Sequence, residues 1–261
     1  MFTFPSRSLD DKTEPFELQV SRGQIEGHRT VVVFGYNGDV DTTMETIWPY
    51  GGLLAFTDTA IQMKVSSSST SDTSAGTGAR TIVIEGLDTD HNEISETVTL
   101  NGQTAVTTTK SFLHINNAYV ATTGSGLSAA GDIYIGTGSV TLGVPATVYD
   151  VIAYDYNSRI TGSYTVPAGY TAYLMQGLFS SGQAGGSNAI TGRLMTRGTN
   201  DVRMTAAIVT LNNGAATYTF EYPPAIPEKT TIEAQALGSS TNNACSSMFI
   251  ICLIKNPVEH P

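Results

Sequence analysis

Thr77–Val106, TGARTIVIEGLDTDHNEISETVTLNGQTAV, decides the fold. Its β-branched run Thr81–Ile84 leads into Gly86-Leu87-Asp88-Thr89-Asp90, and a second run returns through Ile94, Val98 and Leu100. Asn101-Gly102 follows at once, the dipeptide that most readily supplies positive φ at both central positions of a hairpin turn. The stretch predicts a β-meander: strand, acidic turn, strand, tight turn, strand.

Working outward, the same pattern recurs on both sides. Before the meander, His28–Phe34 and Ile61–Val65 read as strands, broken by Gly35–Asp39 and followed by a low-complexity polar loop, Ser66–Gly78. After it come Ser111–Val120, Ile133–Ile135 and Val148–Ala153. The character changes around Asp155–Ile160, where we place a boundary. Beyond it lie seven evenly spaced strands, Gly162–Val166, Tyr170–Phe179, Ala189–Thr196, Val202–Leu211, Ala216–Tyr222, Thr230–Leu237 and Ser247–Lys255, a spacing that fits a sandwich of the jelly-roll variety. Residues 1–24, with Pro5 and Pro15, read as an extended arm carrying a short strand at Phe16–Val20. The chain is therefore expected to be all-β: an N-terminal arm (1–24), an N-terminal β domain (25–156) and a C-terminal jelly-roll-like β-sandwich (157–261). No stretch of helical periodicity exceeds about two turns.

Composition narrows the function classes. Hydrophobic residues make up 40% of the 261, enough for a real core, but only 14% are charged, well below the usual quarter. Thr, Ser, Asn and Gly fill the difference, which suits a surface packed against neighbours. The net charge of −10 argues against nucleic-acid binding, which needs clustered Lys and Arg. Residues 1–156 hold 18 acids and 7 bases, and residues 157–261 hold 5 and 6. The start, MFTFPSRSLDDK, lacks the apolar core of a signal peptide. The longest apolar run, Met248–Ile254, is seven residues, short of a membrane span. Cys245 and Cys252 read as two reduced thiols.

No constellation of chemistry is complete. Asp88, Asp90 and Asn92 have the first spacings of a calcium loop, but Glu93 stands where that loop needs Gly and Thr99 where it needs a bidentate Glu. An acidic hairpin turn is the simpler reading. Asp39, Asp41 and Glu45 form another loop cluster without a ligand pattern. His28, His91, His114 and His260 are scattered, and no Gly-x-Ser-x-Gly elbow occurs. Gly76–Arg80 precedes a strand, the wrong context for a phosphate loop. Arg193, Arg197 and Arg203 read as solvated or subunit-contact residues. No catalytic, cofactor-binding or metal residues are assigned. Trp48, with Tyr50, Leu53 and Phe56, reads as an anchor of a loop on the sheet; a carbohydrate-stacking platform is the alternative.

Two pieces of sequence resemble a known family. ETIWPYGGLLAF (Glu45–Phe56) followed by GTGARTIVIEGLDTDHNEISETVTLNGQTAV (Gly76–Val106) resembles a module of virion structural proteins of tailed bacteriophages. VPAGYTAYL (Val166–Leu174) and YPPAIPEKTTIEAQA (Tyr222–Ala236) are similar to the jelly-roll-like domains of the same proteins. The resemblance spans most of residues 28–255, and its motifs are turns and strand signatures that transfer no catalytic residue. It implies a non-enzymatic capsid decoration (cement) protein that binds the major capsid protein lattice, or else a head–tail connector, neck or tail-associated protein. It further implies virion proteins as partners, a homo-oligomer with a trimer expected, no nucleic-acid or membrane partner, and a virion location after synthesis in the host bacterial cytoplasm. A carbohydrate-binding host-attachment role is a third reading, resting on Trp48 and the tyrosine-rich strands.

Overall fold

A computed structural model of the chain describes residues 14–182 and 189–257. The strand expected at Phe16–Val20 is instead a helix, α1 (Phe16–Ser21). Pro15 precedes it, where a missing N–H costs nothing, and the Leu18 and Gln19 N–H groups both bond the Pro15 carbonyl. Residues 1–13 of the expected arm lie outside the described residues.

The rest of the described chain is β. The first half holds β1 (His28–Val40), β2 (Glu45–Thr46), β3 (Ile61–Ser67), β4 (Ala79–Leu87), β5 (Glu93–Thr99), β6 (Val106–Phe112), β7 (His114–Thr123), β8 (Ile133–Thr141) and β9 (Val144–Ile152). The second holds β10 (Ser163–Thr165), β11 (Tyr170–Gly182), β12 (Ala189–Arg197), β13 (Arg203–Asn212), β14 (Gly214–Thr219), β15 (Ala225–Ile226), β16 (Thr231–Gly238) and β17 (Asn243–Lys255). All pairings between these strands are antiparallel.

Four sheets result. The order β1-β17-β11-β14, with β15 also on β11, makes the first, and β10-β16-β12-β13, with β2 also on β16, makes the second. Their inward residues, such as Val33, Leu174, Phe249 and Ile251 from one and Ile190, Leu194, Ile232 and Ala234 from the other, form one core. The other two sheets, β6-β3-β8-β9 and β5-β4-β7, enclose a second core around Met63, Ile82, Ile84, Phe112, Ile115 and Ile135.

The expected unit 25–156 includes His28–Val40, and this strand, β1, runs along β17 from His28↔Ile254 to Val40↔Asn243. Its apolar alternation completes the C-terminal core through Val33 and Val40, a partnership that local sequence does not encode. The strands of the second core are an excursion from the first two sheets. Ile47 donates to the Ala234 carbonyl (2.9 Å), Gly162 donates to the Ile47 carbonyl (2.9 Å), and Ala234 donates to Gly162 (2.7 Å). β2 and β10 are thus two pieces of one line of pairing along β16, parted by everything between Ile47 and Gly162.

The meander is also corrected in its third strand. β4 and β5 pair as expected, from Thr81↔Thr99 to Leu87↔Glu93. After Asn101-Gly102, however, the chain leaves this sheet, and β6 pairs with β3. Only Gly102 takes positive φ (+59°). Its N–H donates to the Asp72 carbonyl (2.7 Å) and its carbonyl accepts from Ser67 (2.9 Å). The turn is spent on the Ser66–Gly78 loop, not on a hairpin. That loop is itself folded: the Asp72 carboxylate is fully buried and accepts from the Ser67 hydroxyl and from the N–H groups of Ala79, Ala130 and Gly131.

Candidate interaction surface

Antiparallel sheets with one solvated face normally alternate apolar-in, polar-out. The first sheet departs from this rule. Directly opposed residues share a face, so Val32 lines up with Ile250 and Gln176, and Phe34 with Met248 and Leu178. On β17 the inward residues Cys245, Ser247, Phe249, Ile251 and Leu253 are buried, while Ser246, Met248, Ile250, Cys252 and Ile254 are half-exposed. No described strand packs over the outward set, although at the β1 edge Val32 and Phe34 line a cleft shared with Glu85, Glu93 and Asn117 of the excursion. Val32 is 44% and Phe34 54% exposed, high values for apolar residues in mid-strand. From His28 to Tyr36 on β1, and across their partners on β17, β11 and β14, the outward positions hold no Asp, Glu, Lys or Arg. At one end His28 meets the ring of Phe16 of α1 (5.9 Å between centroids), and Phe16 is itself 53% exposed.

The second sheet is the reverse around β16. There the outward residues Ser163, Thr165, Thr231, Glu233 and Gln235 are polar yet buried, whereas Ile208 of β13, opposite Arg193, is 62% exposed. Glu233 accepts hydrogen bonds from the Thr46 hydroxyl and from Gln235 Nε2 (2.9 Å), and Gln235 Oε1 accepts two from Arg193 (2.7 and 2.9 Å). The excursion lies over this face. Arg159, whose side chain is 4% exposed, pairs with Asp150 and donates to the carbonyls of Asn116, Thr161 and Ser163 and to the Ser163 hydroxyl. Asn116 of β7 donates to Thr165 of β10 (2.8 Å) and accepts from its N–H (2.9 Å).

The residues singled out in the sequence take structural places. Trp48 is 1% exposed and its indole N–H donates to the Gly52 carbonyl (3.0 Å), so its ring offers no face to a sugar. At the tip between β4 and β5, Asp88 accepts from the N–H groups of Asp90 and Asn92 (both 2.9 Å), and His91 takes positive φ. Partial burial would raise the Asp88 carboxyl, but these bonds and that from the Asn92 side chain hold it below the ordinary range. Among the described residues no three His, Cys, Asp or Glu converge as a metal ion would require. Cys245 and Cys252 are free and sit on opposite faces of β17; burial pushes the Cys245 thiol up to about 12. Arg193 is bound to Gln235, Arg197 lies over the Phe56 ring (3.8 Å) and pairs with Asp201, and Arg203 opposes Arg197 across the β12–β13 pair. His260 lies outside the described residues.

Two histidines far apart in sequence do meet. The His91 and His114 rings lie 5.6 Å apart, tilted at 45°, in a notch of about 320 Å³ shared with Arg197, Lys229 and Asp201. Burial, then the charges of His91 and Arg197, push His114 down to about 3. A cleft of about 640 Å³ runs between the edge of β1 and the excursion, bridged by the Arg29–Glu93 ion pair. A third hollow, about 480 Å³, gathers Tyr36, Tyr50 and Tyr156 beside Asp39 and Asp41. Periodicity could have located the apolar outward face of β17, because Met248–Ile254 is apolar on both faces. The histidine pair and the tyrosine hollow had no local signal.

No protein-family model matches the chain, and no curated protein matches it. Among solved structures, the VP2 subviral particle of infectious bursal disease virus aligns over 88% of this chain and 73% of its own, at 11% identity and a TM-score of 0.26. A structure of the Gx strain of that virus aligns over the same shares at 11% identity and a TM-score of 0.24. Likeness at these scores carries neither fold nor function.

Proposed function

We propose that this chain is a non-enzymatic structural protein of a tailed-bacteriophage virion, a capsid decoration (cement) protein that binds and stabilises the major capsid lattice. The observation that carries the reading is the charge-free apolar face of the first sheet. A charge-free surface with an apolar centre of Val32, Phe34, Met248 and Ile250 and neutral polar neighbours such as Thr30, Gln176 and Ser246 fits contact with protein, and arrayed copies multiply weak contacts. The strand order supports a jelly roll. Counting β2 and β10 as one strand and setting β15 aside, the eight strands in chain order run 1-8-3-6 in one sheet and 2-7-4-5 in the other. The proposed units are a sandwich built from 28–47 and 162–255 and an insert spanning 57–155.

Quantitative mass spectrometry of purified particles tests the role. A copy number near that of the major capsid protein is expected; about a dozen copies or fewer would favour the neck or tail alternative instead. A second reading, host attachment through carbohydrate, is favoured by the tyrosine hollow, since aromatic faces and carboxylates together suit sugar rings. A glycan array with no signal, or one unchanged in Tyr50→Ala, removes it.

A further inference from the structure

We propose that the apolar face of the first sheet is covered by the same face of a second copy of this chain, in a twofold, sheet-on-sheet contact. This rests on reading that face as a protein-contact surface and names its occupant. Charge selects the partner. At a net charge of −10, copies repel one another at long range, and a twofold contact sets every residue of the patch against the same patch. A carboxylate in the patch would be buried twice, once in each copy, and near the axis would meet its like. This patch has none along nine residues of β1 and their partners on three strands.

Size and shape agree. Four strands about 4.8 Å apart and roughly 30 Å long give a flat footprint of roughly 500 Å². Side-chain relief, with Phe16 at the margin, raises the accessible area toward the ~800 Å² per partner of a standard stable interface. Facing sheets pack about 10 Å apart with interleaved side chains, and the rows Val32–Ile250–Gln176 and Phe34–Met248–Leu178 supply the ridges. The assembly is then even-numbered, in place of the trimer that the resemblance implies.

The test uses the purified full-length chain without capsid. Sedimentation equilibrium should give twice the 27.6 kDa of one chain, and Phe34→Lys and Ile250→Lys should each give a monomer with an unchanged circular dichroism spectrum. Cys252, half-exposed on the same face, gives a readout in the unmutated protein: its reaction with a maleimide should slow as concentration rises through the association range. A trimer, or a dimer indifferent to both substitutions, overturns the proposal. Cys252 protection that is independent of concentration assigns the face to this chain's own N-terminal residues, and also overturns it. A monomer that still binds empty shells through Phe34 and Ile250 overturns the twofold contact and leaves the decoration role standing. A monomer that binds no shell removes both.

Discussion

The outer faces of the first two sheets contrast with each other. Around β16 one is polar and buried: Thr46, Glu233, Gln235 and Arg193 satisfy one another beneath the excursion. The other is apolar and bare, with Val32, Phe34, Met248 and Ile250 outward and uncovered by the described chain. A buried polar layer is tolerated when each donor and acceptor is paired. An uncovered apolar layer is the less ordinary finding, because solvated sheet faces are usually polar. The contrast is between a face covered from within the chain and held by hydrogen bonds, and a face that the described residues leave largely open.

Four measurements would break or sharpen this contrast. Removing the Asp150 carboxylate in Asp150→Ala strands the buried Arg159 guanidinium between the excursion and the sandwich. Losing one partner of a buried pair costs about 3–5 kcal/mol, and a large drop in thermal midpoint is expected. A change under 1 kcal/mol would mean that the carbonyls of Asn116, Thr161 and Ser163 hold Arg159 unaided.

The next effect depends on pH. His114 titrates near 3 when folded and near 6.5 when unfolded. As pH falls below 6.5 the unfolded chain takes up a proton that the folded chain refuses, so this group's stability is fully present above about 6.5 and is lost toward 3. The slope is at most about 1.4 kcal/mol per pH unit, or roughly 2 kcal/mol by pH 5. Denaturant melts of the wild type and His114→Gln should converge on acidification, and parallel curves would refute the burial of a neutral imidazole.

Smaller again is Glu233→Val. It leaves the Thr46 hydroxyl and the Gln235 amide without their acceptor, and buried unpaired groups cost about 1–3 kcal/mol. Equal stability in urea would show that water enters this face. Last, Ile250→Lys on the bare face should alter the stability of the isolated chain by less than about 0.5 kcal/mol. A much larger loss in dilute monomer would mean that Ile250 is covered within the chain.

Periodicity exposed most of the strands, because alternation and turn residues are local. β11, β12, β13, β16 and β17 lie close to their expected ranges. What local pattern could not state is partnership. Nothing in HRTVVVF names β17 as its neighbour, and nothing in Val106–Phe112 says that it will abandon β5 for β3. Phe16–Val20 alternates like a strand and coils into a helix, since no neighbouring strand pairs with it. Asp72 sat in an apparently featureless serine-rich loop, and its value arises only when Ala79, Ala130 and Gly131 arrive from three places. The candidate surface was half legible: Met248–Ile254 announced apolar residues on both faces of a strand, while the bareness of one face depends on where the excursion lands.

The pairing of β1 with β17 has a consequence for how the protein is made. The partners His28 and Ile254 lie at nearly opposite ends of the chain, so β1 leaves the ribosome long before its mate is synthesised. The strands of the second core contact one another over shorter separations and can fold first, while β1 waits with its apolar side chains unpaired. Late, non-local closure is slow and aggregation-exposed. Truncation from the C-terminus through β17 should therefore leave the 57–155 core foldable and the sandwich not, and the yield of whole protein should depend on how well β1 is kept from other chains until translation ends.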